Sequence, residues 1–227
     1  MMRDSKTAIL IFAHSAAYEA KIKTFQNSKA VFESLQERTM RLVHNTQLPF
    51  FLFTEDNQIG NSFAERFVNA IQSVYDLGYE SIITIGNDTP QLTSQLILKA
   101  HTELITNDSV IGKAKDGGFY LLGIKKQHFD AKSFLQLPWQ KSNLSIALHH
   151  LFEAHKVKVS FLETLSDLDT LRDVVFFLNS FKKVYFSLLQ LLVALVLFVN
   201  QISSYIVEKI NYFFQLNTYN KGSPIVV

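Results

Sequence analysis

Two periodicities alternate along this chain. Short apolar runs rich in β-branched residues stop at Gly, Asn, Asp or Pro, and between them lie longer stretches whose apolar residues recur every three or four positions. Ala8-Ile9-Leu10-Ile11-Phe12-Ala13, Pro49 to Thr54, Ser81 to Ile85, Val110-Ile111-Gly112, Phe119 to Ile124 and Val157 to Leu162 read as strands. Helical spacing runs from Ala30 to about Asn45 through Val31, Leu35, Leu42 and Val43, and from Phe63 to Gly78 through Phe67, Ala70, Ile71 and Val74. It returns after Thr93 through Leu96, Ile97, Ala100 and Leu104, and again from Ser142 to Ala154. His14 to Lys29 is polar and shows no period. Strand and helix in alternation predict an α/β fold, a mostly parallel sheet with helices on both faces.

The pattern breaks near Lys182-Lys183. Val184 to Val207 carries no charge, and Leu188 to Val199 is almost wholly apolar. A bilayer-spanning helix needs roughly twenty apolar residues, a length reached here only by counting Ser187, Gln190, Asn200 and Gln201. Two readings stay open: a helix packed on the domain or on a second subunit, and a membrane contact through residues 184–207. The chain is therefore divided into a domain at 1–182 and a hydrophobic helical tail at 183–227.

Composition narrows the function. The formal charge is +2 and scattered, which argues against a nucleic-acid partner. With no cysteine there is neither a disulfide framework nor a thiolate nucleophile, and any metal needs oxygen or imidazole ligands. The charged N-terminal residues lead straight into a short apolar run, which reads as a strand rather than a signal peptide, so a cytoplasmic location is expected, with membrane association only through the tail.

Three carboxylate-bearing segments are candidates for chemistry. Gly86-Asn87-Asp88-Thr89-Pro90 ends a strand, where ligands of open α/β sheets bind; Asp88 either holds a hard cation on phosphate oxygens or caps the next helix. Asp116-Gly117-Gly118 either turns amides toward a ligand or makes a plain hairpin. Asp167-Leu168-Asp169-Thr170 is a helix cap or a second metal carboxylate. Lys21, Lys23 and Lys29 follow the first strand without the glycines of a Walker or dinucleotide loop. The seven histidines show no metal-ligand spacing, and adjacent His149 and His150 are expected to point apart on their helix.

In this order the segments resemble a bacterial family of glycosyltransferase-A-like proteins, often called nucleotide-diphospho-sugar transferases or arsenosugar-biosynthesis glycosyltransferases. The resemblance covers roughly residues 6 to 180. It is carried by Ala64-Glu65-Arg66, Gly86 to Thr93, Asp116-Gly117-Gly118-Phe119-Tyr120-Leu121-Leu122-Gly123, Leu137-Pro138-Trp139 and Asp167-Leu168-Asp169-Thr170 with Asp173. In the first loop Lys23 and Thr24 keep the family's residues, while His14, Ala20 and Phe25 stand where the family has Arg, Gly and Arg. Loss of two guanidinium groups is expected to weaken nucleotide binding there.

The resemblance implies a Rossmann-like nucleotide-diphospho-sugar transferase (GT-A) fold. It implies a metal-dependent glycosyltransferase using a nucleotide sugar and an unknown acceptor, with Mg²⁺ or Mn²⁺ on Asp88 and Asp169. Lys23, Thr24, Gly86, Asn87, Gly117, Gly118 and Trp139 are then expected to bind substrate, Asp88 to be catalytic, and Glu65 or Asp116 to act as general base. A nucleotidyltransferase on the same fold, and a non-catalytic member that binds a nucleotide or a partner, are the alternatives.

Overall fold

A computed structural model describes residues 6–22 and 28–166. Lys23, Thr24, Asp169 and the tail at 183–227 lie outside the described residues. Among the described residues no helix is long and apolar enough to cross a membrane.

The elements in chain order are β1 (Thr7–Phe12), α1 (Ala16–Ile22), α2 (Ser28–His44), β2 (Phe50–Phe53), α3 (Phe63–Asp76), β3 (Ser81–Ile85), α4 (Ser94–Thr106), β4 (Ser109–Lys113) and β5 (Phe119–Lys125). A 3-10 turn at Lys126–His128, α5 (Ala131–Leu135), α6 (Leu144–Ala154) and β6 (Val159–Phe161) complete them. The sheet order is β2-β1-β3-β5-β4-β6. β1 is parallel to β2 and β3, and β4 is parallel to β6, whereas β5 is antiparallel to both of its neighbours.

The twofold period of a strand sorts side chains onto two layers. Ala8, Leu10 and Ile82 pack under α3 against Phe67, Ile71, Val74 and Tyr75. Ile9, Ile11, Ile83 and Ile85 face the other way, onto Leu42 and Val43 of α2 and Ile97, Ala100 and Leu104 of α4. A third cluster joins Ile111, Leu122 and Ile124 to Phe134, Leu148 and Phe152 of α5 and α6. The Tyr75 hydroxyl donates to the Ile124 carbonyl at 2.8 Å, fastening α3 to β5, and burial pushes that phenol's pKa up.

Helix starts follow local chemistry. Ser62 and Glu65 form a capping box at α3, and the Thr93 hydroxyl accepts from the Leu96 amide at α4. The stretch after β1 departs from expectation, because α1 forms where no period is visible. Ser15 begins it, its hydroxyl and carbonyl accepting from the Tyr18 amide, and Ala-Ala-Tyr-Glu-Ala is good helix sequence. With only about two turns, little of α1 is buried besides Ala16, so no stripe is written into it.

Gly112 makes room for the Tyr120 ring where the β4–β5 register shifts. A Cβ there would lie 2.4 Å from Cζ of Tyr120, whose hydroxyl donates to the Glu163 carbonyl at 2.9 Å. Gly112→Ala is expected to lower the unfolding free energy by about 1–3 kcal/mol in urea denaturation. Adding Tyr120→Leu is expected to return part of that loss, giving a less than additive double mutant.

Candidate active site

The direction of the strands gathers the candidate residues at one edge. β1, β3 and β4 all end there, and because β5 runs backward, the 114–118 turn that leads into it lies at the same edge. Open parallel sheets bind ligands at this end of their strands.

Beyond β3 the chain turns through Gly86, Asn87 and Asp88. A Cβ on Gly86 would sit 3.0 Å from Oδ1 of Asp88, so the carboxylate lies close against this glycine. The buried Asn87 donates its side-chain amide to the His14 carbonyl at 3.2 Å, joining the ends of β3 and β1. α4 is capped by Thr93, so Asp88 is not the cap of that helix.

The second carboxylate stands on the hairpin between β4 and β5. Oδ1 of Asp116 accepts from the Gly118 amide at 2.8 Å, while the Gly117 amide donates to the Ala114 carbonyl at 3.2 Å. Gly117 has φ +96°, and a Cβ on it would fall 1.7 Å from the Ser142 carbonyl oxygen. Its own carbonyl accepts from the Ser145 amide at 2.9 Å. Gly117 therefore locks the turn onto the start of α6, and the hairpin and ligand-site readings of this segment hold together.

A cavity of about 520 Å³ opens between the two turns. Of the residues expected from sequence it is lined by Gly86, Asn87, Asp88, Asp116, Gly118 and Trp139. Gly117 and Glu65 do not line it. The Glu65 carboxylate accepts from the Asn61 amide at 2.6 Å and the Ser62 amide at 3.3 Å, so it closes the capping box of α3. Lys23, Thr24 and Asp169 belong to segments outside the described residues.

Several lining residues carry no signal of function in the sequence. Arg66 and Lys141 add positive charge, and Phe63, Phe67 and Phe119 surround Trp139, with Phe12 packed on Phe63. Phe63 and Phe67 have the spacing of a core stripe, and Arg66 is visible only as the last residue of Ala64-Glu65-Arg66.

The loop after β1 is tightly held. Glu55 accepts from the Ser15 amide at 2.7 Å and from its hydroxyl, and Nδ1 of His14 lies 3.4 Å from Oε1 of Glu19. Burial pushes the Glu55 carboxyl up, but the Ser15 hydroxyl and amide, with His14 nearby, outweigh it and hold the group below its ordinary pKa. On α6, His149 and His150 do not point apart: their rings stack 6.2 Å from each other, and each reaches Glu153.

Among the described residues no cluster of three or more His, Cys, Asp or Glu is placed to hold a metal. The carboxylate of Asp88 suits Mg²⁺ or Mn²⁺ bound mainly through water and phosphate, a mode that asks the protein for only one or two carboxylates.

Residues 35–141 match a family described as "Uncharacterized protein conserved in bacteria (DUF2064)". The resemblance read from the motifs holds. A crystal structure from Desulfovibrio desulfuricans G20, named as that of a candidate nucleotide-diphospho-sugar transferase, aligns with a TM-score of 0.71 and 22% identity, covering 85% of this chain and 97% of that one. A 4-diphosphocytidyl-2C-methyl-D-erythritol synthase from Anaerococcus prevotii DSM 20548 aligns with a TM-score of 0.50 and 14% identity, covering 75% of this chain and 95% of the other. At these identities the likeness is one of fold, that of the nucleotide-diphospho-sugar transferases. No curated protein matches the chain.

Two substitutions separate structural carboxylates from site carboxylates. Glu65→Ala is expected to cost about 1 kcal/mol of stability through loss of the capping box, leaving ligand binding in calorimetry unchanged. Glu55, whose folded pKa lies below its unfolded one, stabilises the fold above the unfolded value and loses that contribution as pH falls through the folded value. Urea unfolding of Glu55→Gln across the acid range is therefore expected to depend less on pH than that of the natural chain.

Proposed function

We propose that the cavity binds a nucleotide-diphosphate sugar with a divalent cation and transfers the sugar to a hydroxyl acceptor. The observation that supports this reading is the meeting of Asp88, beyond β3, and Asp116, on the β4–β5 hairpin, in one cavity at the carboxyl edge of the sheet. Mg²⁺ or Mn²⁺ held by Asp88, with Asp169 as the expected second ligand, would supply charge for the departing diphosphate.

The protein's own groups then divide the work. Arg66 and Lys141 draw the phosphate oxygens into the cavity. Asp116 is the general base in preference to Glu65, since Asp116 lines the cavity and Glu65 is bound in the α3 cap. Its Oδ1 is fixed by the Gly118 amide, which leaves Oδ2 to take the acceptor proton. The acceptor oxygen bonds to the anomeric carbon, the bond from that carbon to the diphosphate oxygen breaks, and the electron pair leaves on the nucleoside diphosphate.

A second reading, a non-catalytic member that keeps nucleotide binding, draws on the first loop. There the Ser15 amide is occupied by Glu55, and His14 replaces the family's arginine. A nucleotidyltransferase, the remaining alternative, would release pyrophosphate from a nucleoside triphosphate.

Thermal denaturation against a panel of nucleotides and nucleotide sugars, with and without Mn²⁺, tests the binding. A ligand at a hundred times its Kd adds about 2.7 kcal/mol and a shift of several degrees, and Asp88→Ala is expected to abolish the metal-dependent part. Absence of any metal-dependent shift would refute the transferase reading. Asp116→Asn is expected to keep the shift and lower turnover by about 10²–10⁴-fold, and a chain that binds but never turns over is the non-catalytic member.

A further inference from the structure

We propose that the aromatic wall of this cavity is the acceptor subsite, and that the acceptor carries an aromatic ring beside its hydroxyl. The inference rests on the transfer reading above and specifies the substrate class that Asp116 would deprotonate.

The wall is assembled from separate parts of the chain. Phe12 ends β1, Phe63 and Phe67 lie in the first two turns of α3, Phe119 opens β5, and Trp139 sits in the loop before α6. Trp139 is the hub, with ring centroids of Phe67, Phe63 and Phe119 at 5.0, 5.5 and 6.0 Å. Phe12 meets Phe63 edge-on at 5.6 Å. These rings pack on the core below, yet Phe12, Phe63, Phe119 and Trp139 are only half-buried and border the open cavity. Apolar surface of this kind beside convergent polar groups marks a ligand subsite.

The chemistry of the wall selects its occupant. The Trp139 indole N–H donates to the Phe134 carbonyl at 2.7 Å, so the indole brings no donor to the cavity. An aromatic ring finds on this wall the edge and face contacts that rings prefer, whereas a sugar offers it only a C–H face. The volume argues against a long lipid chain, because the same 520 Å³ must take the donor sugar and diphosphate. Topology gives the side: β5, which brings Asp116 and Phe119, lies next to β3, which delivers Asp88. The acceptor then enters from the β5 side.

Trp139 is the only tryptophan of the chain, so its fluorescence reports this wall directly. The full chain is titrated with benzyl alcohol, n-butanol and methyl β-glucoside, and nucleotide binding is followed separately by the melting shift with Mg²⁺. Saturable quenching by benzyl alcohol alone is expected. In Phe63→Leu or Phe119→Leu, each checked as folded by its melting curve, benzyl alcohol is expected to bind about threefold or more weakly with the nucleotide shift unchanged. An intact nucleotide shift with no saturation by benzyl alcohol, with equal quenching by n-butanol, or with saturation by methyl β-glucoside alone overturns the aromatic acceptor and leaves the transfer reading standing. Loss of both signals overturns both.

Discussion

Because β5 runs against β3 and β4, the turn that starts it has to lie where those two strands end. Every feature of the site depends on that reversal. Had β5 been parallel, Asp116 and Phe119 would lie at the far edge of the sheet, away from Asp88. The reversal is held by the backbone ladders on both sides of β5, by Gly112 clearing room for the Tyr120 ring, and by the Tyr75 hydroxyl on the Ile124 carbonyl. Gly117 completes it by pressing the turn against Ser142, in a conformation that L side chains rarely adopt. In the proposed transfer a fastened turn matters, because a general base displaced by even an ångström loses much of its effect.

Charge at this edge is divided between groups that hold the structure and groups that face the cavity. Glu65 and Glu55 belong to the first kind, one closing the cap of α3 and the other clasping Ser15 at the start of α1. Asp88 and Asp116 belong to the second, and each is steered by a glycine: Gly86 leaves room for one carboxylate, and the Gly118 amide orients the other. The clasp by Glu55 also gives the altered first loop a physical meaning. A carboxylate already occupies the amide at its entrance, so under the proposed reading a donor would find fewer amides there and lean more on Arg66 and Lys141.

What could be read from the chain beforehand follows from how local the information is. Ser81 to Ile85 is legible because four of its five residues are β-branched and it stops at Gly86, and the cap at Thr93 is legible because it needs only neighbouring residues. The direction of β5 is not legible, since buried parallel and antiparallel strands have the same composition. Glu65 was a candidate base because it sits in a family-like triplet, yet its carboxylate answers to Asn61 and Ser62 close by. Gly117 looked like a ligand glycine, and its true partner is Ser142, a contact between distant positions that no spacing reveals. Phe63 and Phe67 have the period of core residues, which they are on one side, and only the open cavity shows what borders the other.

Electron paramagnetic resonance of Mn²⁺ tests most directly whether Asp88 anchors a cation and a diphosphate together. In a titration of the full chain with Mn²⁺ and a nucleoside diphosphate, the free-ion signal is predicted to fall further than with nucleotide alone, and to recover to the nucleotide-alone level in Asp88→Asn. A protein that leaves the free-ion signal unchanged, or an Asp88→Asn chain that removes as much Mn²⁺ as the natural one, would contradict the assignment.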